Sequence, residues 1–175
     1  MSTRRLSLLL AVTPGLAANT AHANATGTLH FNGQVEAGTC NLAAGDENRT
    51  FTLPAIKISD FDAAPSAGAF DFEISADCES DIRHVTFLFA GTPSTGNPAL
   101  FSNTGTSKGT ALWLAHRASP VFAIAANGNV AKRSRKIATN SHKAVIPLTA
   151  AYHKTGAAIS QGTLVSAVTV SITYN

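Results

Sequence analysis

FDFEISADC, residues 70–78, alternates without a break. Phe70, Phe72, Ile74, Ala76 and Cys78 fall on one face of an extended chain, and Asp71, Glu73, Ser75 and Asp77 on the other. A period of two marks a strand with one buried and one wet side. The cysteine shares the apolar parity and so points into a core. Outward from this stretch the same alternation returns between clusters of Gly, Pro, Asn, Ser and Thr, and no segment sustains a 3.6-residue apolar period. Further strands are expected at residues 50–53, 85–89, 111–116, 121–125, 145–152 and 164–174. Asn127-Gly128 reads as a hairpin turn between apolar runs. Short strands at this spacing suit an all-β sandwich.

The chain has 175 residues, of which 45% are hydrophobic and 13% charged. That is one compact domain rather than two, and too little charge for a disordered polyampholyte. Arg4 and Arg5 precede the apolar run of residues 6–12, and small residues follow at Ala21 and Ala23. This is the pattern of a secretory signal peptide, residues 1–23, with cleavage after Ala17 or Ala18 also chemically acceptable. The run is far shorter than the roughly 20 apolar residues of a membrane span, and Pro14 and Gly15 interrupt it. No membrane insertion is expected. Export makes a disulfide between Cys40 and Cys78, the only cysteines, the expected pairing. Closing a loop of about 39 residues is worth roughly 4 kcal/mol in the chain-entropy account.

Charge is split along the sequence. Residues 24–81 hold all ten carboxylates against Arg49 and Lys57, a net of −8, whereas residues 82–175 hold nine Lys or Arg and no acid. Two readings follow: a mixed solvated surface once the halves interleave, or complementarity between neighbouring copies. The run Lys132, Arg133, Arg135, Lys136 lacks interleaved aromatics, so no nucleic-acid partner is expected. The histidines are scattered with no ligand spacing, so neither a metal nor any other cofactor is expected. GTSKG, residues 105–109, matches G-x-S-x-G, but no acid follows it in the chain and a strand pattern replaces the helix a nucleophile elbow needs. Asp60, Asp62, Asp71, Glu73, Asp77, Glu79 and Asp81 could be read as a calcium cluster or an acid/base pair, but their spacing fits no ligand loop and alternation already explains Asp71 and Glu73 as a solvated strand face. No enzyme is expected.

The ends are the most regular parts. From Ala25 to Ala37 every odd position is apolar or glycine, and every even one polar. At the other end Leu164, Val168, Val170, Ile172 and Tyr174 share one parity, with Ser166 the single lapse. A terminal strand this regular pairs inside its own domain or seeks a partner.

GTLHFNGQVEAGTC, residues 27–40, resembles the amino-terminal segment of chaperone–usher pilins of the type 1 fimbrial kind. FDFEISADC is similar to that family's second-cysteine strand. The stretch PLTAAYHKTG, residues 147–156, followed by Gly162 and an alternating strand with penultimate Tyr174, also looks like theirs. The resemblance implies an incomplete immunoglobulin-like β-sandwich with one disulfide, completed by donor-strand exchange. It divides the mature chain into a donor extension, residues 24–36, and a pilin domain, residues 37–175. The donor positions it implies are Gly27, Leu29, Phe31, Gly33 and Val35. The groove and chaperone-contact strand it implies carries Val168, Val170, Ile172, Tyr174 and Asn175. The partners it implies are identical or related subunits, a periplasmic chaperone and an outer-membrane usher, and the destination a surface fimbria supporting adhesion. The alternative from another class is a self-contained secreted carbohydrate-binding sandwich.

Overall fold

The structure, a computed structural model, describes residues 28–175. The expected signal segment and Gly27 lie outside those residues. The chain divides into two units, residues 1–35 and residues 36–175. Every strand among the described residues belongs to the second unit.

Eight strands form two antiparallel sheets: β1 (Cys40–Leu42), β2 (Ser66–Cys78), β3 (His84–Ala90), β4 (Thr110–His116), β5 (Phe122–Ile124), β6 (Ser134–Ala138), β7 (Lys143–Lys154) and β8 (Thr169–Tyr174). One sheet has the order β1-β2-β7-β4-β5, the other β6-β3-β8. The all-β, two-sheet architecture expected from the alternation is therefore present. β2 and β7 form the longest ladder, from Ser66↔His153 to Asp77↔Lys143. Its register shifts between Ala67 and Phe70, where Gly68 takes a positive φ of 64°. A Cβ there would also stand 2.7 Å from the Ile56 side chain, so the bulge requires glycine.

Alternation explains the core. Ile74 and Ala76 of β2, Ile146 and Leu148 of β7, and Leu112 and Leu114 of β4 face Val85, Phe87 and Phe89 of β3, all buried in one cluster with Cys40. Asp71, Glu73 and Asp77 line the solvent side of β2, where Arg117 lies 3.6 Å from Asp71 and 3.8 Å from Glu73, and Lys143 lies 3.2 Å from Asp77. Cys40 and Cys78 are bonded, and they are also Cα partners at the end of the β1–β2 ladder.

The loop after β1 is held by a carboxylate that alternation does not reveal. Asp46 Oδ2 accepts from the Ser75 backbone N–H at 2.7 Å and from its hydroxyl at 3.1 Å, while Oδ1 accepts from Arg49 at 2.9 Å. The Asp46 side chain is only 9% exposed. Asp46→Ala strands these donors and is expected to cost about 1–3 kcal/mol, read as a lower urea midpoint at unchanged slope.

Several expectations need correction. Residues 50–53 form no strand; Phe51 and Leu53 reach the core as side chains only, with the Phe51 ring 4.2 Å from Phe72 and the Arg49 guanidinium 4.6 Å above it. The edge beside β2 is taken instead by β1, three residues too short to show a period. Asn127-Gly128 is not a hairpin turn. β5 pairs with β4 and β6 with β3, so this turn hands the chain from one sheet to the other through a short helix, α1 (Val130–Arg133). The basic run falls on α1 and β6, a strand whose sequence SRKIA hides its period. Arg135 explains part of that run. Its Nη2 donates to the Ala123 carbonyl of β5 at 2.6 Å and its Nη1 to the Ala131 carbonyl of α1 at 3.2 Å, tying together the edge strands of the two sheets.

Candidate functional site

β8 is the end strand of its sheet. It pairs with β3 from Val85↔Tyr174 to Ala90↔Thr169, and among the described residues no strand pairs along its other side. A strand bonded on one side leaves alternate backbone N–H and C=O groups without ladder partners. Its inward parity is the expected one. Leu164, Val168, Val170 and Ile172 rest on the buried cluster but stay half-buried, while Val85, Phe87 and Phe89 of the adjacent β3 are fully covered. Tyr174 is 41% exposed. Asn175 is held by the start of β3, accepting from the Arg83 N–H at 3.2 Å. β1 lies beside β8 across the sandwich, so the half-buried row runs along the seam between the two sheets. An apolar row left partly wet beside an unpaired backbone edge is a place where another strand gains both hydrogen bonds and burial.

The regular ladder begins only at Thr169, not at residue 164 as the alternation suggests. Residues 163–165 are clamped by a loop instead. Asn103 Oδ1 accepts from the Val165 N–H at 2.9 Å and from the Gly105 N–H at 2.7 Å, and its Nδ2 donates to the Ser107 carbonyl at 3.0 Å. The Thr104 N–H donates to the Val165 carbonyl at 2.8 Å. Gly105 lies so close to the Thr163 carbonyl that a Cβ would collide with it. GTSKG is thus part of this clamp. The Ser107 hydroxyl bonds Thr110 Oγ1 and the Ser160 carbonyl, each at 2.9 Å, and has no histidine partner. Asn103 sits in a polar loop with no periodic signal, which is why sequence reasoning did not single it out. Ser166, the lapse in the C-terminal alternation, has a buried hydroxyl without a hydrogen-bond partner.

In the first unit, Leu29, Phe31 and Val35 are 79%, 88% and 99% exposed. Gly33 has no atom near the position of a Cβ, and residues 28–35 carry no strand. In the second unit, Gly38 donates its N–H to Asp81 at 2.8 Å, and Glu79 accepts from the Thr39 hydroxyl at 3.3 Å. Two of the carboxylates near the disulfide are therefore occupied in fixing the stretch just before Cys40.

Three comparisons bear on this edge. A family model described as "Fimbrial protein" matches residues 29–175. No curated protein matches the chain. Among solved structures, the P pilus rod subunit PapA aligns with a TM-score of 0.63 at 17% identity, covering 78% of this chain and 99% of that one. A chaperone–usher pilus subunit, from a structure concerned with rod uncoiling, aligns with a TM-score of 0.62 at 19% identity, over 86% and 96%. A Burkholderia pseudomallei antigen and type I fimbria protein aligns at 0.51 and 20% identity, over 79% and 99%. These likenesses share the fold, an immunoglobulin-like sandwich, and the family match spans both the β8 edge and the exposed alternating segment. This chain belongs to the fimbrial protein family.

Proposed function

We propose that this subunit builds a surface fimbria by donor-strand exchange, the segment of residues 24–36 from one copy entering the open edge along β8 of the next. The observation that carries this reading is the pairing of opposites in one chain. β8 has no strand along its outer side among the described residues and a half-buried apolar row, and the amino-terminal segment carries exposed apolar side chains at alternate positions. Leu29, Phe31 and Val35 are the groups to be buried, and Gly27 and Gly33 mark points where the groove wall admits no side chain. Val168, Val170, Ile172 and Tyr174 form the acceptor edge. Before exchange, a periplasmic chaperone covers that edge, with Asn175 at the contact, and an outer-membrane usher releases it. Residues 1–23 direct export and are removed.

Mixing tests this directly. A Phe31→Asp chain still offers a complete β8 edge but has lost its largest donor group, so it accepts and does not donate. Added to wild type, it is expected to shorten filaments in proportion to its share, as seen by electron microscopy. Tyr174→Ala is expected to act on the other function, lowering the yield of chaperone-bound subunit in the periplasm. Filament lengths indifferent to Phe31→Asp contradict the donor assignment.

A further inference from the structure

Folding interleaves the two halves on one flank, where Arg117 and Lys143 meet Asp71, Glu73 and Asp77, and leaves the other flank basic. Asp46, Asp71, Glu73, Asp77, Glu79 and Asp81 lie on or beside β1 and β2, and all four ion pairs among the described residues involve acids of this flank. The opposite flank, where β5 and β6 are the edge strands, has no acid. It carries a shallow cleft of about 570 Å³ with a floor that includes Phe122, Ala123 and Ala125, rimmed by Lys132, Arg135 and Lys136. Phe122 is 48% exposed, and the neighbouring Val121 and Val130 are both 56% exposed. Arg135 is committed to backbone carbonyls, but Lys132 and Lys136 are exposed and in no ion pair. An exposed turn stands beside β2 on the acidic flank. The 3₁₀ turn Ile58–Phe61 leads into β2, buries Phe61, and leaves Ile58 50% exposed beside Asp60 and Asp62. Asp60 is tied to the Lys57 N–H at 2.8 Å, whereas the Asp62 side chain makes no hydrogen bond or ion pair among the described residues.

We propose that the Phe122 cleft of one copy receives the Ile58–Asp62 turn of a second copy, a lateral contact separate from the strand-exchange edge. An apolar tip bearing Asp60 and Asp62 against the single Lys57, a net negative charge, meets an apolar floor flanked by the ammonium groups of Lys132 and Lys136. Cleft and turn lie on opposite flanks, so the contact is heterologous: each copy offers one of each and the association propagates rather than closing as a dimer. The proposal rests on the filament reading for its setting, because side-by-side copies raise local concentration, but it does not use β8.

The chain has no free cysteine, which makes cross-linking a clean test. Chains carrying Ile58→Cys are mixed with chains carrying Phe122→Cys under mild oxidation. Covalent heterodimers are expected, with the yield falling at least about fivefold between low and high salt because the flanking charges are exposed. Lys132→Glu with Lys136→Glu in the Phe122→Cys chain is expected to lower the yield by a similar factor. Asp62→Lys in the partner chain is expected to restore about half of it, the signature of a specific pair. Absence of heterodimer, a preference for homodimers, or yields indifferent to both charge reversals overturns the proposal. So does retention of wild-type chains on a sulfated-polysaccharide column in place of cross-linking, since the cleft would then serve a glycan. The readout is separable from strand exchange: if Phe31→Asp leaves cross-linking intact while filaments shorten, the two contacts are independent. If filaments are unaffected by Phe31→Asp, the donor assignment fails without deciding this contact, which the heterodimer yield decides alone.

Discussion

Filaments are expected to disappear when Gly33 is replaced by leucine. Among the described residues nothing lies near the position a Cβ would take at Gly33, so the larger side chain is expected to leave the donor's own folding and stability unchanged. In the proposed exchange residue 33 lies against the groove wall of another copy, between Phe31 and Val35, and the effect is expected there alone. Burying Leu29, Phe31 and Val35 is worth about 5–9 kcal/mol before ordering costs, taking roughly 1.5–3 kcal/mol for each. A leucine that cannot be seated either forfeits neighbouring contacts or shifts the strand by one residue, which turns every inward side chain outward. Electron microscopy of the cell surface is expected to show no filaments, while subunit captured by its chaperone accumulates in the periplasm. Filaments of normal length from Gly33→Leu would show that the register is wrong.

The second large effect concerns the disulfide. Cys40 is 4% exposed, sits in the core cluster and is bonded to Cys78 across 38 residues of sequence. Replacing both cysteines by alanine removes a cross-link worth about 4 kcal/mol in the chain-entropy account, a large part of the stability of a domain this size. The structural consequence is local as well. β1 is only three residues long and pairs with β2 from Cys40↔Cys78 to Leu42↔Ala76, so without the covalent bond that edge rests on a short ladder and on the hydrogen bonds of Gly38, Thr39 and Asp46. β1 stands beside β8 across the sandwich, so the seam proposed to receive a donor strand loses one of its walls. The double-alanine chain is expected to fail to accumulate as folded periplasmic subunit at 37 °C, and the reduced wild-type protein to show a markedly lower urea midpoint. An unchanged midpoint after complete reduction, checked by thiol titration, would remove the disulfide from the account of stability.

Alternation made the fold legible where strands are long and half-buried. β2, β3, β4 and β7 are found where period two places them, each within a few residues, because one face of each strand meets the core and the other meets water. β5 (Phe122–Ile124) falls inside the expected 121–125, but the same physics fails for β1, three residues long, and for β6, where Arg135 and Lys136 interrupt the apolar pattern of an edge strand. It overreaches at residues 50–53, whose aromatic and aliphatic side chains pack without a backbone partner. At the open edge, parity correctly marked Val168, Val170 and Ile172 as the core-facing row. Parity says nothing about which loop fixes the approach to β8, so Asn103 and Gly105 emerge only from tertiary contacts. Asp46 is invisible for the same reason: its partner Ser75 is distant in sequence, and a lone aspartate in a polar loop has no periodic signature.

The central claim is that this sandwich lacks a strand and obtains it from another molecule. The most direct test compares the purified mature chain, free of chaperone, with the same chain carrying an extra copy of residues 24–36 fused through a short flexible linker after Asn175, and reads thermal melting and molecular mass for both. The account predicts that the fused chain is a monomer with a single cooperative melt, and that the unfused chain either polymerises or remains aggregation-prone with a melt far below it. An unfused chain that is monomeric and melts as cooperatively, at the same temperature as the fused one, would contradict it.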